Sequence, residues 1–488
     1  MSVHQNIPVD LPVEAKAGIL RITERIGRRG DSFSTFLRML EDQAVRYCVL
    51  KAEETPENKI TFKLELVVHP GDRAKLPWVF QRMSEEGYLP VQRVRDRVGG
   101  YRVRFVRNSP SALTFFDVLI LHGLRWDRSP RSVDSLFARR RRLPDCWVAS
   151  AEDEFDYLLA SGILQGSISA GDQQRIEVLR AEIGCEQAKK FAERLLGSRE
   201  HGDDVVAACT SARLPFLLST LRGRLSFQMF RDRPLLSLGS VLKSGFAYLQ
   251  RWFQSQGLQV VILGPDGVGK STLGAAILQT LGPLFEASRI HQWRPQVIKP
   301  RPEKNPNVFE PPHSKPPYGL VRSLAHMLGV VLDYWVGDLG CIKPFLARPG
   351  LIVFDRDFHD ALVDHLRYRY SGPHWVLRLL LRIVPQTESV FLVLNADAEI
   401  ILQRKQEVAP AELRRQCAGY RKLAAELPNA LLIQTDQDFE SSRREACRAI
   451  VSYLSKRFDS RYGQRPTKAR FHPNRSRFSD KAAREIYR

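Results

Sequence analysis

No two of the seven cysteines form a C-x-x-C pair, and their positions (48, 146, 185, 209, 341, 417 and 447) show no even framework. That spacing argues against a zinc ribbon or a disulfide-stapled scaffold and fits reduced thiols in a cytoplasmic protein. Long apolar runs are missing as well. The longest candidate, Leu113–Leu124, is too short to span a bilayer and carries Asp117. The first residues, MSVHQNIPVDLPVEAKAG, lack the basic-then-apolar order of a secretion signal. A soluble, cytoplasmic chain is expected. Acid is the scarcer charge: 54 Asp and Glu against 74 Lys and Arg give a formal net charge of +20. The excess gathers at Arg139–Arg142, along Arg213–Arg251 and in the tail from Lys456. Such surface suits nucleic acid, anionic lipid or polyphosphate. No nucleic-acid-binding signature accompanies it, so nucleic acid is not expected as a partner, whereas an anionic membrane surface and a second copy of the chain both stay open.

What is present is concentrated in one stretch. Val260–Leu263 is an apolar, β-branched run that reads as a buried strand. It feeds Gly264-Pro265-Asp266-Gly267-Val268-Gly269-Lys270-Ser271, a G-x-x-x-x-G-K-S phosphate loop, and Thr272 then opens a helical pattern running to Leu281. The order has a chemical reason. Glycines let backbone N–H groups turn inward around phosphate oxygens, and the helix N-terminus adds its positive dipole end. Lys270 can reach the β- and γ-phosphates of ATP, and Ser271 offers a hydroxyl to Mg²⁺. A merely structural Gly-rich turn would require neither side chain.

With 488 residues, two or three domains are expected. Residues 30–205 read as a smaller α+β unit, with strands at Val45–Leu50, Phe62–Val68, Tyr101–Val106 and Thr114–Leu121 and a helical remainder at Glu152–Leu196. Residues 206–256 are a basic linker in which leucine and phenylalanine interleave with arginine. It reads as an amphipathic helical pair packing on the domain that follows. Residues 257–456 alternate apolar strands (Val260–Leu263, Arg289–Gln292, Leu351–Phe354, Val390–Leu394, Leu431–Gln434) with helical stretches, so an α/β fold with a parallel sheet covered on both faces is expected. Eight prolines punctuate Pro295–Pro317, a stretch that cannot be regular helix and that is placed to border a second substrate. Residues 457–488 are polar and basic, a tail expected to lack fixed structure.

A phosphate loop alone does not separate kinases from GTPases and ATPases. The guanine-reading Asn-Lys-x-Asp is missing, and Leu351–Phe354 ends in Asp355-Arg356 rather than in paired acids. An Asp at that strand end can orient the water around Mg²⁺, and the adjacent Arg can stabilise developing charge. At this point the chain resembles the thymidylate kinase family over about 200 residues. The family's G-x-D-G-x-G-K-S/T-T is matched by Gly264–Thr272, and its helix-strand-Asp-Arg segment by Lys343–Arg356. The resemblance implies ATP and Mg²⁺ at Gly264, Asp266, Gly267, Val268, Gly269, Lys270, Ser271 and Thr272, with Ser271 and Asp355 serving the metal. It implies Asp266 on the acceptor's sugar hydroxyl, Arg294 and Arg356 on the acceptor phosphate, and a lid at Ile400–Tyr420 with Arg404 foremost and Arg414 and Arg415 behind it. Lys270, Arg356 and Arg404 would then carry catalysis.

The acceptor side departs from the family. Its second arginine falls near Tyr334, and Asp357–Asp364 lacks the small polar and Gln pattern that reads thymine. A nucleoside monophosphate is the acceptor the resemblance implies, with a sugar or polysaccharide-precursor kinase and a non-catalytic ATP-binding module as the alternatives. Residues 30–205 resemble the nucleotidyltransferase fold, with Lys63 and Glu65 where two metal-binding aspartates belong and Asp117 as the third acid. A lysine ammonium at a metal-ligand position should abolish metal binding, so an inactive domain is expected.

Overall fold

The computed structural model describes residues 32–54, 60–96, 100–108, 113–123, 133–196, 221–223, 225, 227, 245–246, 248–295, 297–298, 316–405, 408–436 and 438–463. Two sheets organise them. The first is built from β1 (Tyr47–Glu54), β2 (Ile60–Val68), β3 (Tyr88–Asp96), β4 (Gly100–Asn108), β5 (Leu113–Leu121), β6 (Arg141–Arg142) and β7 (Trp147–Val148), in the order β3-β4-β5-β2-β1-β7-β6. Its helices are α1 (Ser32–Asp42), α2 (Leu76–Glu85), α3 (Val133–Arg139), α4 (Ala151–Gln165), α5 (Ala170–Ile183) and α6 (Cys185–Leu196). Side chains alternate across a strand, so β2 serves two cores at once. Leu64, Leu66 and Val68 pack with Val103, Phe105 and Val118 against α1 and α2, whereas Val67 joins Leu119 and Leu121 beneath α4 and α6.

The second sheet holds β8 (Leu258–Leu263), β9 (Ala287–Gln292), β10 (Gly350–Asp355), β11 (Ser389–Asn395) and β12 (Ala430–Gln434), all parallel, in the order β12-β11-β8-β10-β9. Around it run α7 (Lys270–Leu281), α8 (Leu320–Gly337), α9 (Lys343–Leu346), α10 (Asp360–Val363), α11 (His374–Ile383), α12 (Ala398–Arg404), α13 (Pro410–Glu426) and α14 (Phe439–Tyr462). The fold is the expected α/β arrangement. Val260 and Ile262 face one apolar cluster and Val261 and Leu263 the other, which is why β8 reads as a continuous apolar run. The first strand of the unit is central, and the chain crosses over to opposite sides of it. That leaves a crevice at its carboxyl end, where α/β sheets bind ligands.

Two expectations need correction. Residues 457–462 are not tail but the last turns of α14. There Phe458 is buried in the first unit's core, edge-on to Phe80 at 6.0 Å, and Arg457 donates to the Gly257 carbonyl at 2.9 Å. One apolar residue among many charges hid this end of the helix. In the linker, Leu221 and Leu225 are buried among the helices of the first unit rather than on the second. Most of the linker, residues 299–315 of the proline-rich stretch and residues 464–488 lie outside the described residues. Among the described residues, no helix is long and apolar enough to cross a membrane.

The units meet through α14, which lies against β3. Val91, Val106 and Phe115 share an apolar cluster with Leu284 and Phe285, and Gln92 donates to the Gln256 carbonyl at 3.2 Å.

Candidate active site

Past Leu263 the chain must turn tightly between β8 and α7, and two glycines make the turn feasible. Gly264 has φ 144° and lies so close to β11 that an added Cβ would sit 2.8 Å from the Leu394 carbonyl oxygen. Gly267 has φ 83°, and a Cβ there would press on Ile401 and Lys405 at 3.2 Å each. Larger residues would distort both places. Val268 anchors the loop in the core at 1% exposure, and Gly269 leads into α7.

Lys270 is the first residue of α7 and is almost fully buried. Its Nζ donates to the Gly264 and Pro265 carbonyls at 2.8 and 2.7 Å and lies 3.5 Å from Asp266 Oδ1. Burial, with Arg356 adding like-charge repulsion, pushes its pKa down to about 8. Ser271 Oγ donates to Asp355 Oδ2 at 2.6 Å. The parallel register sets Asp355 beside Ile262, which carries its carboxylate to the foot of the loop. Asp355 Oδ1 is buried and makes no hydrogen bond. A hydroxyl paired with a carboxylate that keeps one oxygen unbonded is a donor set that fits Mg²⁺ and its water shell. Thr272 follows on an exposed position of the helix.

Arg356 sits in the left-handed region at φ 71°, its N–H donating to the Ile262 carbonyl at 3.0 Å. The turn aims its guanidinium at Asp266 Oδ1. Burial works against that charge, but Asp360 and Asp266 hold the guanidinium firmly protonated. Asp360 is fully buried and accepts from the Tyr368 and Tyr420 hydroxyls, each at 2.6 Å. Burial raises its pKa, against the opposing pull of Arg356 and both phenols. Asp364 is also buried, so neither acid belongs to a solvated face. His359 is buried and paired with Asp357 at 2.7 Å.

The structure thus brings Asp266, Lys270, Ser271, Asp355 and Arg356 together. Arg294 is turned elsewhere: its Nη1 donates at 3.2 Å to the buried Asp333 of α8, which also accepts from the Val297 and Ile298 amides. Arg404 is exposed and donates to the Thr435 carbonyl at 2.8 Å. Arg414 pairs with Glu399 and Arg415 with Glu412. Tyr334, standing where a cation was sought, donates its hydroxyl to the Trp293 carbonyl. Sequence reasoning missed Arg367, whose guanidinium reaches Asp266 Oδ2. It also missed Trp293, which stacks on Tyr368 with ring centroids 4.4 Å apart.

In the first unit, Glu65 accepts from the Tyr157 hydroxyl at 2.5 Å, and the Arg102 guanidinium lies between Glu65 and Asp117, at 3.7 and 3.5 Å. Among the described residues, no group of three or more His, Cys, Asp or Glu is arranged to hold a metal.

No protein-family model matches the chain, and no curated protein matches it either. Solved structures that align with it include the thymidylate kinase of Candida albicans, at 16% identity and TM-score 0.31 over 41% of this chain and 93% of that one. The thymidylate kinase of Ehrlichia chaffeensis aligns at 13% identity and TM-score 0.28, over 40% and 98%. The deoxyadenosine kinase of M. mycoides aligns at 15% identity and TM-score 0.27, over 40% and 100%. At such identities and scores, the chemistry of the site rests on its own residues.

Proposed function

We propose that the chain is an ATP- and Mg²⁺-dependent phosphotransferase that moves the γ-phosphoryl group of ATP onto a phosphorylated small molecule. The observation carrying this reading is the pairing of Ser271 with Asp355 at 2.6 Å beside a buried Lys270, at the carboxyl ends of adjacent parallel strands. Loop amides and Lys270 would bind the β- and γ-phosphates, the ammonium exchanging the Gly264 and Pro265 carbonyls for phosphate oxygens. Ser271 and Asp355 would hold Mg²⁺, directly and through water respectively; when bound, the ion offsets phosphate charge. An acceptor phosphate oxygen attacks the γ-phosphorus as the bond to the β–γ bridging oxygen breaks, and ADP leaves. Arg356, beside the phosphate loop on Asp266, would stabilise the charge that develops on the transferring group.

A nucleoside monophosphate is the first acceptor to test. Phosphorylated sugars belong in the same screen, because Asp357 and His359 are buried and paired with each other and residues 357–365 contain no Asn or Gln to read a base edge. Turnover of labelled ATP against both acceptor classes tests the proposal. If no acceptor accelerates ATP consumption, catalysis is refuted and nucleotide binding alone remains.

Arg404 separates an enzyme from a binding module. To serve as a lid residue it must release Thr435 and close on the phosphates, a contact made mainly as charge develops. Arg404→Ala should therefore lower kcat about tenfold or more with little change in ATP affinity. Equal kcat in the two proteins would remove Arg404 from the mechanism.

The depressed pKa of Lys270 gives a pH signature. In the ligand-free protein the ammonium is lost as pH rises through about 8. Phosphate favours the charged form, so ATP binding just above that pH should take up a proton, and ATP affinity should fall as pH rises further. Calorimetry in buffers of different ionisation enthalpy measures the uptake; a buffer-independent enthalpy there would contradict it.

A further inference from the structure

Arg367 lies in the short 3-10 turn Leu366–Tyr368 and reaches Asp266 Oδ2, while Arg356 takes Oδ1 and Lys270 stands 3.5 Å from the same Oδ1. Three cations converge on one loop carboxylate. Burial opposes the charge on Asp266, yet Lys270, Arg356 and Arg367 hold its carboxyl far below the usual range. A single carboxylate cannot use the donors offered, because each guanidinium carries five N–H groups in a planar fork. Arg356 Nε is buried without a hydrogen bond, its nearest carboxylate being Asp360 Oδ2 at 3.6 Å. Unmet, forked donor capacity beside a phosphate loop matches the oxygens of a phosphate better than it matches Asp266 alone.

The surroundings hold these guanidiniums in place. The Arg367 amide donates to Asp364 Oδ1 at 3.3 Å, and Tyr368 is fixed by Asp360 on one side and by the Trp293 ring on the other. Three of the five described non-glycine residues with positive φ, Trp293, Arg356 and Arg369, occur around this spot. Strained backbone of this kind persists where surrounding contacts over-determine it.

We propose that Arg356 and Arg367 form a two-guanidinium clamp for the phosphate monoester of the acceptor, with Asp266 standing in for that phosphate in its absence. The proposal rests on the phosphotransferase reading and deepens it, by adding Arg367 to Arg356 as a second guanidinium that holds the acceptor's phosphate. On binding, the phosphate oxygens take the guanidinium donors and Asp266 is released toward the remainder of the acceptor.

The test is calorimetric titration of phenyl phosphate into the full chain, with and without saturating MgADP, for wild type, Arg367→Gln and Arg367→Lys. Arg367→Gln should weaken phenyl phosphate about tenfold or more while MgADP affinity stays within about threefold. Arg367→Lys keeps the charge and loses the fork, so it should fall between, and it carries the comparison if the glutamine variant does not fold. Equal phenyl phosphate affinity in wild type and variant overturns the clamp, as does undetectable binding to wild type. Failure of MgADP to bind wild type would instead overturn the phosphotransferase reading, and the nucleotide-free titration would still decide the clamp.

Discussion

Lys270→Ala should cut phosphoryl transfer by a factor on the order of a hundred or more while leaving a folded protein. The expected loss is large because the ammonium is the cation able to follow the γ-phosphate from ATP to acceptor, at a buried position where water replaces it poorly. The fold should survive for a separate reason. Burial already pushes this lysine toward its neutral form, so the native state gains little from holding it charged. Asp266 keeps Arg356 and Arg367 when the lysine is gone. Single-turnover measurement with labelled ATP, beside a circular dichroism check of the fold, reads both halves. Unchanged turnover in a folded variant would sink the phosphotransferase assignment.

The parts legible in sequence were those whose signal is local. A parallel strand of a covered sheet is a short apolar run with a turn at its end, and the buried β8, β10 and β11 and the half-buried edge strand β12 were all found that way. Phosphate-loop chemistry is packed into eight consecutive residues, so Lys270 and Ser271 could be assigned before their geometry was known, and the Asp-Arg pair ending β10 pointed to Asp355 and Arg356. What was not legible depends on long-range partners. β3 reads YLPVQRVRD, with a proline and two arginines, and was not recognised as a strand. It is an edge strand covered by α14, from more than 300 residues further along the chain. Arg367 carries no spacing signal at all, since its partner Asp266 lies 101 positions earlier. Asp360 and Asp364 sit one helical turn apart, which suits a wet face as well as a buried one, and only the packing of Tyr368 and Tyr420 decides between them.

The first unit offers the other large effect. Arg102 of β4 is 17% exposed and faces three carboxylates: Asp96 at 3.3 Å, Asp117 at 3.5 Å and Glu65 at 3.7 Å. Burial works against its charge, but Asp117, Glu65 and Asp96 together hold the guanidinium protonated. Arg104 adds a second cation 3.3 Å from Asp117. Glu65 and Asp117, the acids expected from sequence at metal positions, are therefore paired with Arg102 and, for Asp117, with Arg104 as well, and Lys63 stands on the same face of β2 as Glu65. Arg102→Met should destabilise this unit by about 3–5 kcal/mol, because it leaves carboxylates crowded in a poorly solvated place with one partner instead of two. Adding Asp117→Asn to that variant should recover part of the loss, since much of the cost is the charge left behind rather than the bond removed. Urea unfolding of the three proteins measures both steps. A single variant within about 1 kcal/mol of wild type would show that the carboxylates are well solvated, a range surface ion pairs reach. Their pairing with Arg102 would then give no physical support to the expectation that this unit binds no catalytic metal.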